Sequence, residues 1–254
     1  MSAGPAMRIA IVTGGHSRVG RTISEALAAR GWRVLLHAFR GTARAKALDQ
    51  QLNPPPHGPM GIWQADFSDT AATLASFETL LATLPAEAEL ALVHNASAFE
   101  NDDRDSVTLE RFRMHHAVHY EVPVLLTLAA AKRFPRGQAL MVLDQNVENL
   151  HDQFLSYCLS KGAMHAAMKR LALSLAPFRV NAVAPGPTLP LPDADLAAFE
   201  AAAQATPLQG AVAPEDVADA VAWLLDARRV TAQTVFVDAG QHLKQWREPA
   251  APGA

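Results

Sequence analysis

The sequence predicts an α/β protein built on one doubly wound parallel sheet of about seven strands. Three observations predict it. Short β-branched and aliphatic runs alternate with longer helical patterns from end to end. The strand runs are nearly continuous in apolar residues, as strands covered on both faces are. The first of them leads through a glycine-rich turn into a helical pattern, the opening unit of a sheet wound by right-handed crossovers.

"RIAIVT" (8–13) reads as a strand, and the helix after it runs to about Arg30. "RVLLHA" (33–38) is the second strand and "ARAKALDQQL" the second helix. The cluster "NPPPHGP" (53–59) breaks the chain before a strand at 60–65. A helix near 70–83 leads to the strand "ELALVHNA" (89–96). One long helix from about 108 to 133 precedes the strand "QALMVLD" (138–144). A helix over roughly 153–175 precedes the strand "FRVNAVAP" (178–185). Residues 189–210 read as a loop with a short helix, "PEDVADAVAWLL" (214–225) as a helix and "QTVFVDAG" (233–240) as the last strand. No linker or internal repeat divides the chain. We expect a single domain with its core over 8–243 and loosely held tails at 1–6 and 244–254.

Composition narrows the function classes. Half of the 254 residues are apolar and 19% are charged, the profile of a soluble globular chain. A net charge of −3 gives no global attraction to nucleic acid or an anionic membrane. A single cysteine, Cys158, rules out an intramolecular disulfide. Residues 1–7 lack a charged leader, and the longest apolar run, "VPVLLTLAAA" (122–131), is too short to span a bilayer. We therefore expect a cytoplasmic protein.

The motifs fall where strands end at the carboxyl edge of the sheet, the edge at which such folds bind ligands. "TGGHSRVG" (13–20) joins a strand to a helix, where free backbone N–H groups and the helix dipole attract phosphate. Gly14 and Gly20 permit the tight turn, although such a turn also occurs in ordinary strand–helix loops. The second strand selects the dinucleotide. NAD sites place an acid about 20 residues past the glycines to hold the ribose 2′-hydroxyl. Between Glu25 and Asp49 this chain has none, and it carries His37, Arg40, Arg44 and Lys46 there instead. Arg40, just past the strand end, can pair with a 2′-phosphate. Arg44 and Lys46 read as a solvated helix face. The expected cofactor is NADP.

"YCLSK" sets Tyr157 and Lys161 four apart on one helix face, about 6 Å apart at Cβ. A phenol is ordinarily too weak an acid, with a pKa near 10. A neighbouring ammonium is expected to lower it and make it a proton donor. By itself the spacing arises often by chance. Its value comes from lying after "HNAS" (94–97) and before "NAVAPG" (181–186).

Together with "ADF" (65–67) and "QTVFVDAG" (233–240), these motifs resemble those of the short-chain dehydrogenase/reductases, over about residues 8–243 and in the right order. The resemblance implies a Rossmann-type fold and a dinucleotide lined by Gly14, Arg18, Val19, His37, Arg40, Asp66, Phe67, Asn95, Ala96, Ser97, Pro185, Gly186 and Thr188. Tyr157 and Lys161 would flank its nicotinamide end, with Lys161 on the ribose. It also implies a homotetramer built on the two long helices and the last strand.

Finer details resemble the pteridine and dihydromonapterin reductases. "TGGHSRVGRTI" places Arg18 where most of the family has glycine, and "HNASAF" supplies Ser97 and Phe99. Asp144 stands thirteen residues before Tyr157, at the place of the family's usual serine. In that branch the serine bonds pterin or cofactor, and the aromatic ring sandwiches the pterin. The implied substrate is a dihydropterin, held by Arg18, Ser97, Phe99, Asp144 and Tyr157. Asp144, Tyr157 and Lys161 would be catalytic. The chemistry fits, because reducing a C=N bond requires a proton at ring nitrogen, whereas a carbonyl favours a neutral donor beside the growing oxyanion.

Three features stay open at this level. His119, four residues before Pro123, replaces an asparagine that holds a relay water in many relatives, and dihydromonapterin reductases resemble this chain there. "HHAVH" (115–119) has metal-like spacing but no evident carboxylate or cysteine partner, so no metal is expected. Asp102, Asp103 and Asp105 read as a solvated loop. The alternatives are a reductase of another carbonyl, such as a ketoacyl thioester, and a non-catalytic NADP-binding regulator.

Overall fold

The computed structural model describes residues 7–191 and 195–243. The expected tails at 1–6 and 244–254, and residues 192–194 of the 189–210 segment, lie outside the described residues.

Seven strands form one wholly parallel sheet: β1 (Arg8–Val12), β2 (Arg33–Ala38), β3 (Ile62–Gln64), β4 (Glu89–His94), β5 (Gln138–Val142), β6 (Arg179–Pro185) and β7 (Thr234–Val237). Their spatial order is β3-β2-β1-β4-β5-β6-β7. The order reverses between β1 and β4, so the carboxyl ends of these two strands open a crevice.

The helices cover both faces, as continuous apolar strands require. In β1, Ile9 and Ile11 enter one core layer while Ala10 and Val12 enter the other, the period-two consequence of the pleat. The first layer packs beneath α3 (Thr70–Thr83), α5 (Val122–Arg133) and α6 (Leu155–Ser174), with Phe77, Leu126, Met164 and Met168. The second packs beneath α1 (Arg18–Ala29), α2 (Thr42–Leu52) and α8 (Pro214–Asp226), with Ile23, Leu27, Leu48, Val217 and Val221. A short helix, α7 (Leu196–Gln204), occupies the 189–210 segment.

Two differences from expectation matter for the site. The long helix is interrupted: α4 (Leu109–His116) passes through a π-turn, Ala117–Glu121, into α5. Pro123 explains it, having no N–H to donate and a ring that crowds the carbonyl four residues back, that of His119. The strands end earlier than their apolar runs. Asn95, Ala96 and Asp144 lie just beyond the ladders of β4 and β5, where the chain turns out along the carboxyl edge. Among the described residues, no helix is long and apolar enough to cross a membrane.

Candidate active site

The glycine turn is built by hydrogen bonds from three strands. Thr13 Oγ1 accepts from Asn95 N–H and Ala96 N–H, both at 2.9 Å. Asn95 Nδ2 donates to Thr13 O at 3.0 Å. Gly14 has a left-handed φ of 61°. At Gly20 a Cβ would sit 2.4 Å from both Asn95 Nδ2 and Gly14 O, so only glycine lets α1 approach this closely. Arg18 also takes a left-handed φ, 51°, strained for a residue with a Cβ. Val19 follows it, half-buried against the second core layer. At the start of α1, Ser17 makes no side-chain cap and the first turn holds no acid. Its first amides are free of an internal acceptor there, and its dipole favours an anion.

Arg18 crosses the cleft. Its Nη2 donates to Leu189 O at 3.0 Å and Pro190 O at 2.9 Å. Pro185 and Gly186 lie at the end of β6 on that side, and Thr188 Oγ1 donates to Gly186 O.

Two expected cofactor contacts near the end of β2, His37 and Phe67, are buried instead. His37 is 2% exposed. Its Nδ1 accepts from Gly14 N–H at 3.2 Å, so its Nε2 donates to Ala65 O at 3.1 Å. Both nitrogens are used, and His37 braces the turn rather than facing a ligand. Burial holds it neutral, its pKa lowered to about 4. Phe67 is buried too, its ring stacked on His37 at 4.3 Å, which leaves only its backbone for a ligand. The exposed Asp66 accepts from Ser68 N–H and Oγ. Arg40 is exposed, its guanidinium over the Phe39 ring. Asp49, the first acid after Glu25, is buried and accepts from Asn53, Met60 N–H and Gly61 N–H. No carboxylate from the 26–49 stretch therefore faces the end of β2.

On the other side of the cleft, Tyr157 and Asp144 meet. Tyr157 Oη donates to Asp144 Oδ2 at 2.7 Å, while Asp144 Oδ1 accepts from Asn146 N–H at 2.9 Å. The aspartate thus caps the turn after β5 and also holds the phenol. Burial raises the Asp144 pKa above the usual carboxylate range, against the pull of Asn146, Tyr157 and Lys161. The expectation for Tyr157 is corrected: its pKa is raised well above the ordinary value. Burial is the main cause and the adjoining Asp144 the second. Lys161 lies 5.5 Å from the ring centroid, donates to Val142 O at 2.7 Å and is itself lowered to about 8 by burial.

An aromatic cluster adjoins the phenol. Phe99, partly exposed, stacks on Phe154 at 4.3 Å and meets Tyr157 edge-on at 4.7 Å. Phe154 was not foreseen from the sequence. It precedes α6 with a left-handed φ of 53°. No local pattern marks it, since its role comes from a contact with a loop more than fifty residues earlier.

His119 is not free for a relay. Its Nε2 accepts from Ala98 N–H at 3.2 Å and lies 2.9 Å from Ser97 Oγ. Its Nδ1 therefore donates to Ser160 Oγ at 3.0 Å, and that hydroxyl donates to Tyr157 O. Burial keeps it neutral. His115 stacks on it, with ring centroids 5.4 Å apart. Among the described residues no three His, Cys, Asp or Glu side chains group as metal ligands. Asp102 corrects the solvated-loop expectation: it is 1% exposed and turned inward against α6. Burial pushes the Cys158 thiol up to about 11, which disfavours a thiolate nucleophile.

The model of the enoyl-(acyl carrier protein) reductase family matches residues 15–242. The oxidoreductase YmfI of Bacillus subtilis is 33% identical over 92% of this chain and 99% of its own length. The granaticin polyketide synthase putative ketoacyl reductase 2 of Streptomyces violaceoruber is 31% identical over 94% and 98%. The dihydromonapterin reductase of Citrobacter koseri is 28% identical over 92% and 96%. Among solved structures, FolM alternative dihydrofolate reductase 1 from Brucella canis, complexed with NADP, superposes with a TM-score of 0.86. It is 34% identical and covers 96% of this chain and 97% of that one.

Proposed function

The chain belongs to the short-chain dehydrogenase/reductase family, and from that premise we propose that it uses NADPH to reduce a dihydropterin to a tetrahydropterin. It is an NADPH-dependent oxidoreductase of this family. The residues fit the cofactor. The uncapped, acid-free start of α1 offers amides and dipole to a pyrophosphate, beside Gly14, Arg18 and Val19. Arg40, with no carboxylate from the 26–49 stretch facing the end of β2, suits a 2′-phosphate. Asp66, the Phe67 backbone, Asn95, Ala96, Pro185, Gly186 and Thr188 complete the lining, and Lys161 would reach the ribose. Bound there, NADPH would supply the hydride.

The proton is the protein's own contribution. The observation that carries the pterin reading is the 2.7 Å bond between Tyr157 Oη and Asp144 Oδ2, where the family's usual serine would stand. Hydride on a C=N carbon leaves the ring nitrogen needing a proton. Tyr157 delivers it from Oη, and the phenolate left behind is reprotonated by a proton taken up from water through Asp144, whose buried carboxyl binds one more readily than usual. Phe99, braced by Phe154, offers a flat ring a stacking face. Ser97 and Arg18 would supply hydrogen-bond donors to the pterin.

A second reading rests on the ketoacyl reductase relative: reduction of a β-ketoacyl thioester. Turnover of NADPH with dihydrobiopterin, followed by absorbance loss and run beside an acetoacetyl thioester, separates the two. Turnover of the thioester alone would overturn the pterin reading. As part of this proposal the protein is a single-domain, cytoplasmic homotetramer. Exposed Leu109, Phe112, Leu159 and Leu173 on α4 and α6 are the apolar surface such an assembly would cover. Sedimentation at micromolar concentration tests it.

A further inference from the structure

Helix α6 carries the phenol and the ammonium, yet it does not cap itself. Phe154, at its N-cap position, has no side-chain acceptor and a left-handed φ. The first amides are satisfied instead by the loop after β4. Phe154 N–H donates to Asn101 Oδ1 at 3.1 Å and Leu155 N–H to Asp102 O at 2.9 Å. Ser156 donates twice to the Asp102 carboxylate, from N–H to Oδ1 at 2.9 Å and from Oγ to Oδ2 at 2.5 Å. Asp102 is fully buried, and no described Lys, Arg or His makes an ion pair with it. A buried carboxylate without a cation is costly unless hydrogen bonds and a helix dipole stabilise it, and α6 supplies both.

The geometry points to Asp102 as a positioning residue for Tyr157. Ser156, which it grips, immediately precedes the phenol. The same loop carries Phe99, stacked on Phe154, so one clasp fixes the phenol, the aromatic face and their separation together. A second tie lies one turn further on, through His119 and Ser160 to Tyr157 O. The carboxylate acts through geometry and not through its field. The charges that move Tyr157 are those of Asp144 and Cys158, and Asp102 is not among them. A side chain whose charge matters tolerates no isostere; a clasp does. Asparagine keeps an acceptor for Ser156 N–H, and its amide can donate to Ser156 Oγ.

This inference rests on the proposed role of Tyr157 as proton donor, so its test has an arm that needs no substrate. The chain has two tyrosines. In a Tyr120→Phe background, ring-labelled tyrosine NMR therefore reports Tyr157 alone. Asp144, Lys161, Cys158, His115 and His119 are the titratable groups around it; none is substituted, and the Asp102 charge, which reaches His115 and Cys158, is lost equally in the asparagine and alanine variants. The parent and Asp102→Asn should keep the phenol protonated well beyond its ordinary range. Asp102→Ala should begin to ionise earlier, as loosening from Asp144 and access to water return it toward its ordinary pKa of about 10. In the kinetic arm, Asp102→Ala should lose about tenfold or more in kcat, with NADPH affinity within about twofold, because misplacement of a reacting group costs rate and not cofactor binding. Asp102→Asn should recover most of that loss. Should Asp102→Ala not fold, Ser156→Ala, which removes one of the two side-chain contacts, should show a smaller shift of the same sign. An unmoved Tyr157 signal in both alanine variants would overturn the clasp. Loss of kcat in Asp102→Asn equal to that in Asp102→Ala would overturn it too, in favour of a role for the charge. A moved signal with no pterin turnover by the parent would leave the clasp standing and remove the substrate assignment.

Discussion

On the glycine-turn side of the cleft, His37 joins Gly14 N–H to Ala65 O, backbone to backbone. On the α6 side, His119 joins Ala98 N–H to the Ser160 hydroxyl, and through it to the backbone of Tyr157. Both rings are buried and held neutral by burial. Their neighbours differ. His37 shares its surroundings with Trp63 and Phe67, whereas His119 meets His115 and Tyr157, in reach of Lys161. In the proposed function one side is a mould that binds, and on the other Tyr157 and Asp144 carry the proton. Substitutions on the first side should change affinity and stability, and on the second side turnover.

The largest effect belongs to the proton-bearing side. Tyr157→Phe should keep the fold and NADPH affinity while losing about 10²-fold or more in kcat. Near-parent turnover would mean that the proton arrives from elsewhere, and the contrast would fail. On the mould side, acid should act through stability. The folded pKa of His37, about 4, lies below the ordinary 6.5, so between these values the unfolded chain binds a proton that the folded chain refuses. The stability is fully present above pH 6.5 and is lost as pH falls toward 4, by about 3 kcal/mol at most from this residue. Melting temperatures that stay level from pH 6.5 to 4.5 would contradict a neutral brace.

Asp144→Ser comes next. Serine can donate a hydrogen bond but cannot restore a proton near neutrality, so dihydropterin reduction should fall about tenfold or more with NADPH binding unchanged. Side activity on reactive diketones should hold or rise, because no anion then opposes the oxyanion. Equal pterin turnover in parent and variant would make a carbonyl the better substrate. The smallest effect concerns Arg40. We expect at least about tenfold preference for NADPH over NADH, equivalent to about 1.4 kcal/mol, and its loss or reversal in Arg40→Asp. Should kcat rather than KM for the cofactor carry the change, the division between the two sides is drawn in the wrong place.

Most of the fold is legible because buried parallel strands announce themselves as apolar runs, and the helices between them are long. The π-turn is not, because inserting one residue's worth of slack barely disturbs helical periodicity; Pro123 was its one local sign. The resemblance puts His37 at the cofactor, whereas its two ring nitrogens brace the backbone. Its alternation with Leu36 and Ala38 puts it beside Leu35, in the core, and that signal was available. Asp102 sits among three acids in five residues, and nothing local distinguishes the one that turns inward. Its partner Ser156 lies 54 residues on. Asp144 and Tyr157 could be paired from spacing and resemblance. The sign of the phenol's pKa shift could not, because it depends on burial and on the adjoining Asp144.

The caps of α6 have a kinetic side as well. A helix whose first three amides are bonded to residues 101 and 102 completes its first turn only after that loop has docked. Opening of the loop and fraying of the helix are then one event with one free energy. The amides of Leu155 and Ser156 should exchange with deuterium at a shared rate, and substitutions at Asp102 should accelerate both together. A residue in the middle of β5 should not notice. The exchange clock of these amides would thus time how often the active site comes undone, in a molecule whose sheet stays intact throughout.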